Sequence, residues 1–294
     1  MRFVILLATS GLATGHAVAQ ASSWDGTYIG VSGGLSGLAP DTAVSIDVER
    51  AGRPDGNYTG VTYNPAGGVS EFNSEISSES TAAFAVFAGA SFDQGGLVWG
   101  AEAKLEVAPI ERNYSVGPVR YFPTGPSGSW ATFPLPANVP PQPGGITQIL
   151  QENETISSNL QVDYSLALRA KVGVPVGDAL LLSGHAGIAM AQAQLDVTQD
   201  SEQLGAYFYR LNNQGPLFST VINRTATDNA SAEESLIGIT LGGLTEYRLT
   251  DNLIARADVT WTKYGDISVT TGPGSEVSIE PSTWSASVGL AFTL

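Results

Sequence analysis

The sequence predicts an all-β protein, an eight-stranded antiparallel up-and-down transmembrane β-barrel, and two observations support this prediction. The first is the stretch from Leu97 to Val107, where apolar residues take every second position and three charged residues lie between them. Such a strand keeps its charges solvated if they face a polar lumen while its apolar side faces lipid. The second is that no run after residue 21 approaches the roughly 18 consecutive apolar residues of a spanning helix. If the chain crosses a membrane, it therefore does so with strands.

The N-terminus predicts a secretory signal peptide. It begins Met1-Arg2, continues with the apolar run from Phe3 to Leu12, and offers cleavage after Ala19 or after Ala21. The apolar run is too short to span a bilayer as a helix. We therefore expect a signal peptide at 1–21 and one outer-membrane β-barrel domain at 22–294.

Composition narrows the class of protein. The formal net charge of -15 disfavours a nucleic-acid partner, and the absence of Cys excludes disulfides and thiolate chemistry. The 34 Gly and 16 Pro are turn formers, and the 43% hydrophobic content is dispersed along the chain rather than concentrated in long runs. Dispersed hydrophobicity is typical of alternating strands.

The alternation predicts eight strands joined by short and long connections in turn. The strands are expected at 27–35, 82–92, 97–107, 159–174, 179–197, 236–249, 253–264 and 284–294. Short turns are expected at 93–96, 175–178 and 250–252, and long loops at about 36–81, 109–157, 198–234 and 265–282. Short periplasmic turns and long outer loops are typical of this class, and an even strand number predicts that both termini are periplasmic.

Two strands carry further expectations. Strict alternation over 159–174 places Leu160 and Val162 outward with the other apolar residues and Asp163 inward. In the next strand the phase slips near Gln192, which indicates either a β-bulge or the point where the strand leaves the membrane.

Proline placement supports the strand assignment, because Pro cannot donate to a ladder. All 16 prolines fall outside the eight predicted strands, and nine of them lie between Pro109 and Pro143. We expect the long loop that contains them to be extended, mobile in part and without a core of its own.

Charge is divided between loops and lumen. The four long loops hold 18 acidic and six basic residues, whereas the strands hold six of each sign. Ten charged residues have inward parity: Glu102, Lys104, Glu106, Asp163, Arg169, Lys171, Glu246, Arg248, Arg256 and Asp258. An eight-stranded barrel is only wide enough for its side chains to fill it, so these charges should form an ion-pair network. A closed lumen and a narrow ion path through the same residues both stay open.

Outward aromatic residues predict two interfacial girdles. We expect Trp261 and Trp284 near the outer rim of the membrane, and Phe92, Trp99, Tyr247 and Phe292 near the inner rim.

The sequence contains few residues that could form a catalytic site. Ser183 and His185 share a strand face and could act on a lipid ester if an acidic residue oriented the imidazole. Both have inward parity, where an acyl chain would meet a charged lumen, so we expect a hydrogen-bonded lumen histidine and no enzyme. We predict no catalytic or cofactor-binding residues. We also predict no metal-binding residues, since no compact set of carboxylates has the spacing of a calcium loop.

Both ends of the chain resemble a known family. The stretch from Trp24 to Gly30 (WDGTYIG) and the stretch from Gly243 to Asn252 (GLTEYRLTDN), followed by Arg256, Asp258 and Tyr264-Gly265-Asp266, are similar to the first strand and penultimate hairpin of the OmpA-like surface-antigen and opacity-type porins of Gram-negative bacteria. The middle of the chain matches only in pattern. Members of that family typically end in an aromatic residue, whereas this chain ends in Leu294 with Phe292 nearby.

The resemblance implies an integral protein of the outer membrane with a structural, surface-antigen or small-porin role. Its expected partners are outer-membrane lipid and lipopolysaccharide, the barrel-insertion machinery acting on the last strand, and surface ligands at the long loops. The alternatives are a small porin that passes ions or small solutes, and a soluble lipocalin-like barrel with an apolar pocket and a polar exterior.

Overall fold

The chain forms antiparallel β-strands throughout the part that its computed structural model describes, which covers residues 24–39, 41–47, 62–65, 80–124, 146–210, 217–272 and 274–294. The strands are β1 (Gly26–Leu38), β2 (Ala43–Asp47), β3 (Thr62–Pro65), β4 (Thr81–Gln94), β5 (Leu97–Thr124), β6 (Ile146–Val176), β7 (Leu180–Arg210), β8 (Leu217–Arg248), β9 (Leu253–Tyr264), β10 (Ile267–Thr270), β11 (Glu276–Glu280) and β12 (Ser282–Thr293). The described ranges contain no helix long and apolar enough to cross a membrane. The signal peptide predicted at 1–21 lies outside the described residues.

Eight of the strands close into a ring. The order around the ring is β1, β4, β5, β6, β7, β8, β9 and β12, and β12 pairs again with β1. Every pairing is antiparallel, so the eight strands form an up-and-down barrel. Where all eight strands pair, the ring has no free edge. β3 adds to the far end of β5. The predicted fold class and all eight predicted strands are confirmed.

One end of the barrel carries the short connections. Gly95 and Gly96 join β4 to β5, residues 177–179 join β6 to β7, and residues 249–252 join β8 to β9. Gly95, Gly96 and Gly177 adopt positive φ, which tight turns require and which glycine tolerates best. We call this end the turn end. β1 begins and β12 ends there, with Tyr28 opposite Thr293.

The other end is built differently from the prediction. β5, β6, β7 and β8 are 28, 31, 31 and 32 residues long, so much of the predicted loops at 109–157 and 198–234 is strand. We call this part, residues 108–124, 146–162, 192–210 and 217–235, the extension. The expectation of a loop without a core is wrong for the described part of 109–157, because Ile110 and Ile156 are buried inside the extension.

Prolines also enter the observed strands. Pro109 and Pro118 lie inside β5, at the two places where its register against β6 shifts. A register shift leaves backbone groups outside the regular ladder, so a residue without an N–H is accommodated there.

The apolar face of the barrel wall changes from the outside to the inside along the length of the barrel. Near the turn end the outward residues of β7, such as Leu182, Ile188 and Met190, are exposed and apolar. In the extension the inward residues Leu195 and Val197 are apolar and buried. The inward parity of β7 does not change between Leu181 and Gln199. We call the outward apolar residues near the turn end the apolar belt. The phase slip near Gln192 therefore marks the end of this belt rather than a bulge in β7.

The bulge lies on β6 instead. Val162 and Tyr164 are opposite the adjacent β7 residues Ala193 and Gln192, so Asp163 is an extra residue on β6 against β7, and the register against β5 shifts at the same point. An extra residue moves every later side chain to the opposite face. Leu160 and Val162 consequently face inward and are buried, and Asp163 is exposed, which corrects the three orientations predicted from strict alternation.

The remaining long connections contribute a second sheet. β10 and β11 form a hairpin, and β2 pairs with β11 to complete three antiparallel strands. Ile267, Val269, Val277 and Ile279 from this small sheet are buried and pack with the apolar interior of the extension. Burial of one face against that interior explains why so short a sheet is stable.

Candidate functional site

The candidate site is a cluster of buried ion pairs in the barrel lumen. Its centre is Glu102 on β5, which accepts hydrogen bonds from two guanidinium groups. Arg256 Nη1 donates to Glu102 Oε2 at 2.7 Å, and Arg169 Nη2 donates to Oε1. The Tyr28 hydroxyl donates to Glu102 Oε2 at 3.0 Å. Glu102, Arg169 and Arg256 are each buried, so every charge has a partner in place of water.

A second carboxylate extends the cluster towards the extension. Asp258 Oδ2 accepts a hydrogen bond from Arg169 Nη1 at 2.9 Å and lies 3.4 Å from Lys104 Nζ. Its other oxygen lies 3.0 Å from Nε2 of His185. Lys104 Nζ also pairs with Glu106 at 2.8 Å. One network therefore joins β5, β6, β7 and β9.

A further pair lies beside this network, where Lys171 Nζ is 3.0 Å from Glu246 Oε2. The structure thus brings together eight of the ten residues predicted for the lumen: Glu102, Lys104, Glu106, Arg169, Lys171, Glu246, Arg256 and Asp258. The other two lie elsewhere. Asp163 is exposed at the β6 bulge and accepts a hydrogen bond from Gln161, and Arg248 stacks on Trp24 near the turn end, 4.6 Å from the ring centroid.

The small residues of the lumen make room for the large ones. A Cβ atom on Gly89 would lie 2.5 Å from the Tyr28 hydroxyl, and one on Gly242 would lie 2.5 Å from the His185 ring. A real Cβ atom essentially never lies this close to another heavy atom, so a larger residue at either position would force its neighbours to move. The inward glycines are therefore part of the packing that fixes the ion pairs.

Tyr28, Thr260 and His185 also contact the cluster but were not among the predicted network residues. Thr260 Oγ1 donates to Asp258 at 3.1 Å. Inward parity was the available signal for these residues, but parity alone does not tell which strands face each other across a lumen.

Apolar layers lie on both sides of the ion pairs. Towards the turn end a cluster contains Trp24, Tyr28, Phe87, Val98, Leu181, Ile254 and Ala291. Arg256 stacks on Phe87 from the lumen side, with 3.9 Å between the guanidinium carbon and the ring centroid. Towards the extension, the apolar interior begins with Leu38, Ala83, Ala189 and Tyr264 and continues to the small sheet.

A small cavity lies between the ion pairs and the apolar layer on the side of the extension. Its volume is about 20 Å³, and Lys104, Glu106, Arg169, Thr240, Thr262 and Ser285 are among its lining residues. Such a volume holds about one water molecule, and hydroxyl and charged groups around it would bind that water.

Ser183 and His185 are not arranged as a nucleophile and its base. His185 bonds to Asp258, but Ser183 Oγ is buried and makes no hydrogen bond in the described part of the chain. A nucleophile needs a hydrogen bond to its base, and Ser183 does not have one to His185. Among the described residues, no three His, Asp or Glu side chains are grouped so that they could hold a metal ion.

The outward aromatic residues occupy both ends of the apolar belt. Phe92 and Trp99 are paired across β4 and β5 at the turn end, where Tyr247 and Phe292 are also exposed. Trp261 and Trp284 are paired across β9 and β12 at the opposite end, and both are half-buried.

Comparisons with known proteins give likeness of fold only. No family model matches the chain, and no curated protein sequence matches it. Among solved structures, the chain is similar to the outer membrane protein OprG from Pseudomonas aeruginosa, with 12% identity, a TM-score of 0.42, and coverage of 93% of this chain and 98% of that one. It is also similar to Ail, the attachment invasion locus protein of Yersinia pestis, with 12% identity, a TM-score of 0.30, and coverage of 91% and 99%. For Neisserial surface protein A the identity is 9%, the TM-score 0.32, and the coverage 91% and 97%.

Proposed function

We propose that the chain is an integral outer-membrane barrel whose lumen is closed and whose role is structural and surface-exposed. The observation that carries the proposal is the layered lumen, in which a network of buried ion pairs lies between two apolar clusters. An ion on this path would have to displace paired charges and then enter an apolar layer, and both steps are costly.

The exterior supports the membrane setting. Large apolar side chains point outward around the ring, among them Val31, Phe84, Leu168, Ile239 and Val288, each more than half exposed. An outward apolar band next to a polar, hydrogen-bonded lumen is typical of transmembrane barrels and opposite to a lipocalin. Acyl chains and lipopolysaccharide would then be the partners of this band.

The proposed orientation follows from the two ends. We assign the turn end, with the first and last ring strands, to the periplasm and the extension to the outside. The last strand, β12, would be the one that the insertion machinery handles. The extension would carry the surface interactions, as the resemblance to the OmpA-like surface-antigen barrels implies.

Single-channel conductance of the refolded protein in a planar bilayer tests the closed lumen, with heat-dependent gel mobility as an independent check of insertion. We expect an inserted and silent barrel. The Arg169→Ala variant should also stay silent, because the two apolar layers remain. Discrete ion-selective steps from the unaltered protein would contradict the proposal and favour the small porin, and release without detergent would contradict the membrane setting.

A further inference from the structure

Three polar groups inside the extension lack hydrogen-bond partners among the described residues. They are Nε of Arg112, the hydroxyl of Tyr114 and the hydroxyl of Ser158, and each of these atoms is buried. A buried donor without an acceptor costs about 1 to 3 kcal/mol, so native proteins rarely leave one unpaired. Three such groups in one place therefore make this part of the extension a candidate binding site for an acceptor.

The backbone brings the three groups together. Tyr114 on β5 lies directly opposite Ser158 on β6, and Arg112 precedes Tyr114 by two residues, so it lies on the same face. Directly opposite residues have Cβ atoms about 5 Å apart. The guanidinium carbon of Arg112 is 5.6 Å from the centroid of the Tyr114 ring.

Side-chain hydrogen bonds on the outer face of β5 and β6 stabilise this register. Asn159 Nδ2 donates to Glu111 Oε1 at 2.7 Å and to Asn113 Oδ1 at 2.8 Å. Asn113 and Asn159 are opposite each other between the two inward pairs. These bonds keep Tyr114 and Ser158 from slipping past each other.

The charge of Arg112 is not neutralised by the described residues, since none of their carboxylates lies within ion-pair distance of it. Glu111 is the nearest carboxylate in sequence, but it is exposed on the outer face. Arg112 itself is half-buried, and its Nε is fully buried. Burial raises the pKa of Tyr114 and outweighs the opposing effect of the neighbouring Arg112 guanidinium, so the phenol stays protonated near neutral pH and can donate.

We propose that Arg112, Tyr114 and Ser158 form a binding site for an oxyanion, a carboxylate or phosphate group, inside the extension. The guanidinium supplies the charge, and the two hydroxyls supply further donors to the same anionic group. Apolar side chains flank the site, since Ile110, Ile156 and Leu160 are all buried beside it. The anion is therefore either free in solution or the head of a molecule with an acyl chain.

Titration of the full-length refolded protein tests the site. The probes are sodium phosphate, sodium acetate and sodium decanoate, and the readout is the NMR signal of the arginine Nε–H that disappears in Arg112→Lys. We expect a saturable shift of that signal. Binding measured by calorimetry should be lost in Arg112→Gln and weakened about tenfold in Tyr114→Phe. The control Lys263→Gln removes an exposed cation paired with Glu280 and should bind normally.

The probes separate the two sources of the anion. Decanoate binding more than tenfold tighter than acetate would assign an acyl-chain head, and equal binding would assign a free anion. No saturable shift with any probe, or unchanged binding in both Arg112→Gln and Tyr114→Phe, would overturn the site. Gel mobility of each variant shows that the barrel is folded, so a folding defect cannot pass for a loss of binding.

Discussion

Glu102 shows most clearly how single residues determine the interior of this barrel. It accepts hydrogen bonds from Arg256, Arg169 and Tyr28 and is almost fully buried. Removal of one partner from a buried ion pair leaves the other charge without compensation, which is costlier than losing the pair as a whole. The lumen charges therefore depend on one another rather than contributing separately.

The Glu102→Gln variant tests this dependence at the residue scale. It keeps the size of the side chain but leaves two buried guanidinium groups short of negative charge, so we expect a loss of about 3 to 5 kcal/mol in the free energy of unfolding. The matched control is Glu280→Gln, whose pair with Lys263 is about half exposed and should be worth no more than about 1 kcal/mol. Urea unfolding in lipid vesicles, followed by tryptophan fluorescence, measures both. Equal unfolding midpoints would contradict the expected role of Glu102.

At the scale of elements, β6 and β7 pass from the apolar belt to the extension in different ways. β7 keeps its parity, and its apolar residues move from the outward to the inward positions beyond Gln192. β6 keeps its apolar residues on even-numbered positions, and the bulge at Asp163 turns those positions inward. Both arrangements place apolar side chains next to lipid in the apolar belt and inside the core in the extension.

A charge placed on the outer face of β7 locates the boundary between these parts. Ile188→Lys puts a cation in the apolar belt and should destabilise the inserted barrel by about 2 to 4 kcal/mol. Gln194→Lys puts the same cation on the same face beyond the boundary, where we expect almost no change. The folded fraction by gel mobility and the urea midpoint compare the two variants. Equal sensitivity at both positions would show that the belt does not end near Gln192.

At the scale of the whole molecule, the apolar belt has a definite thickness along the membrane normal. The outward apolar residues run from Tyr164 to Val176 on β6 but only from Leu182 to Met190 on β7. At a rise of about 3.3 Å per residue and a tilt of about 40°, these runs cover roughly 20 to 30 Å along the membrane normal. This is close to the band of about 25 Å that outer-membrane barrels present to lipid.

Folding into bilayers of different thickness tests the belt as a property of the whole molecule. We expect a larger folded fraction in vesicles of short-chain than of long-chain phosphatidylcholine, because mismatch forces either the bilayer or the protein to deform. Heat-dependent gel mobility after refolding gives the folded fraction. The Ile188→Lys variant is the control, since it should fold less well in every lipid. A preference for the longer chains would contradict the thickness derived from the strands.

The sequence by itself determined the local features of this protein. Alternation with period two is a property of each strand alone, so it sufficed to predict eight strands, three short turns and the inward parity of residues such as Arg169 and Asp258. Glycine-rich turns likewise act over a few residues, as at Gly95 and Gly96. These features survive in the structure because they need no information from distant parts of the chain.

Only the tertiary structure decided what depends on contacts between distant strands. The interior of the extension became a core because Leu195, Ile156 and Ile279 meet there from three different strands, although the segments of Ile156 and Ile279 by themselves were indistinguishable from loops. The orientation of Leu160, Val162 and Asp163 depended on a bulge, which is specified by pairing with neighbours rather than by alternation. The partners of Glu102 were likewise set across the lumen, since parity tells which face a side chain takes but not which strand lies opposite.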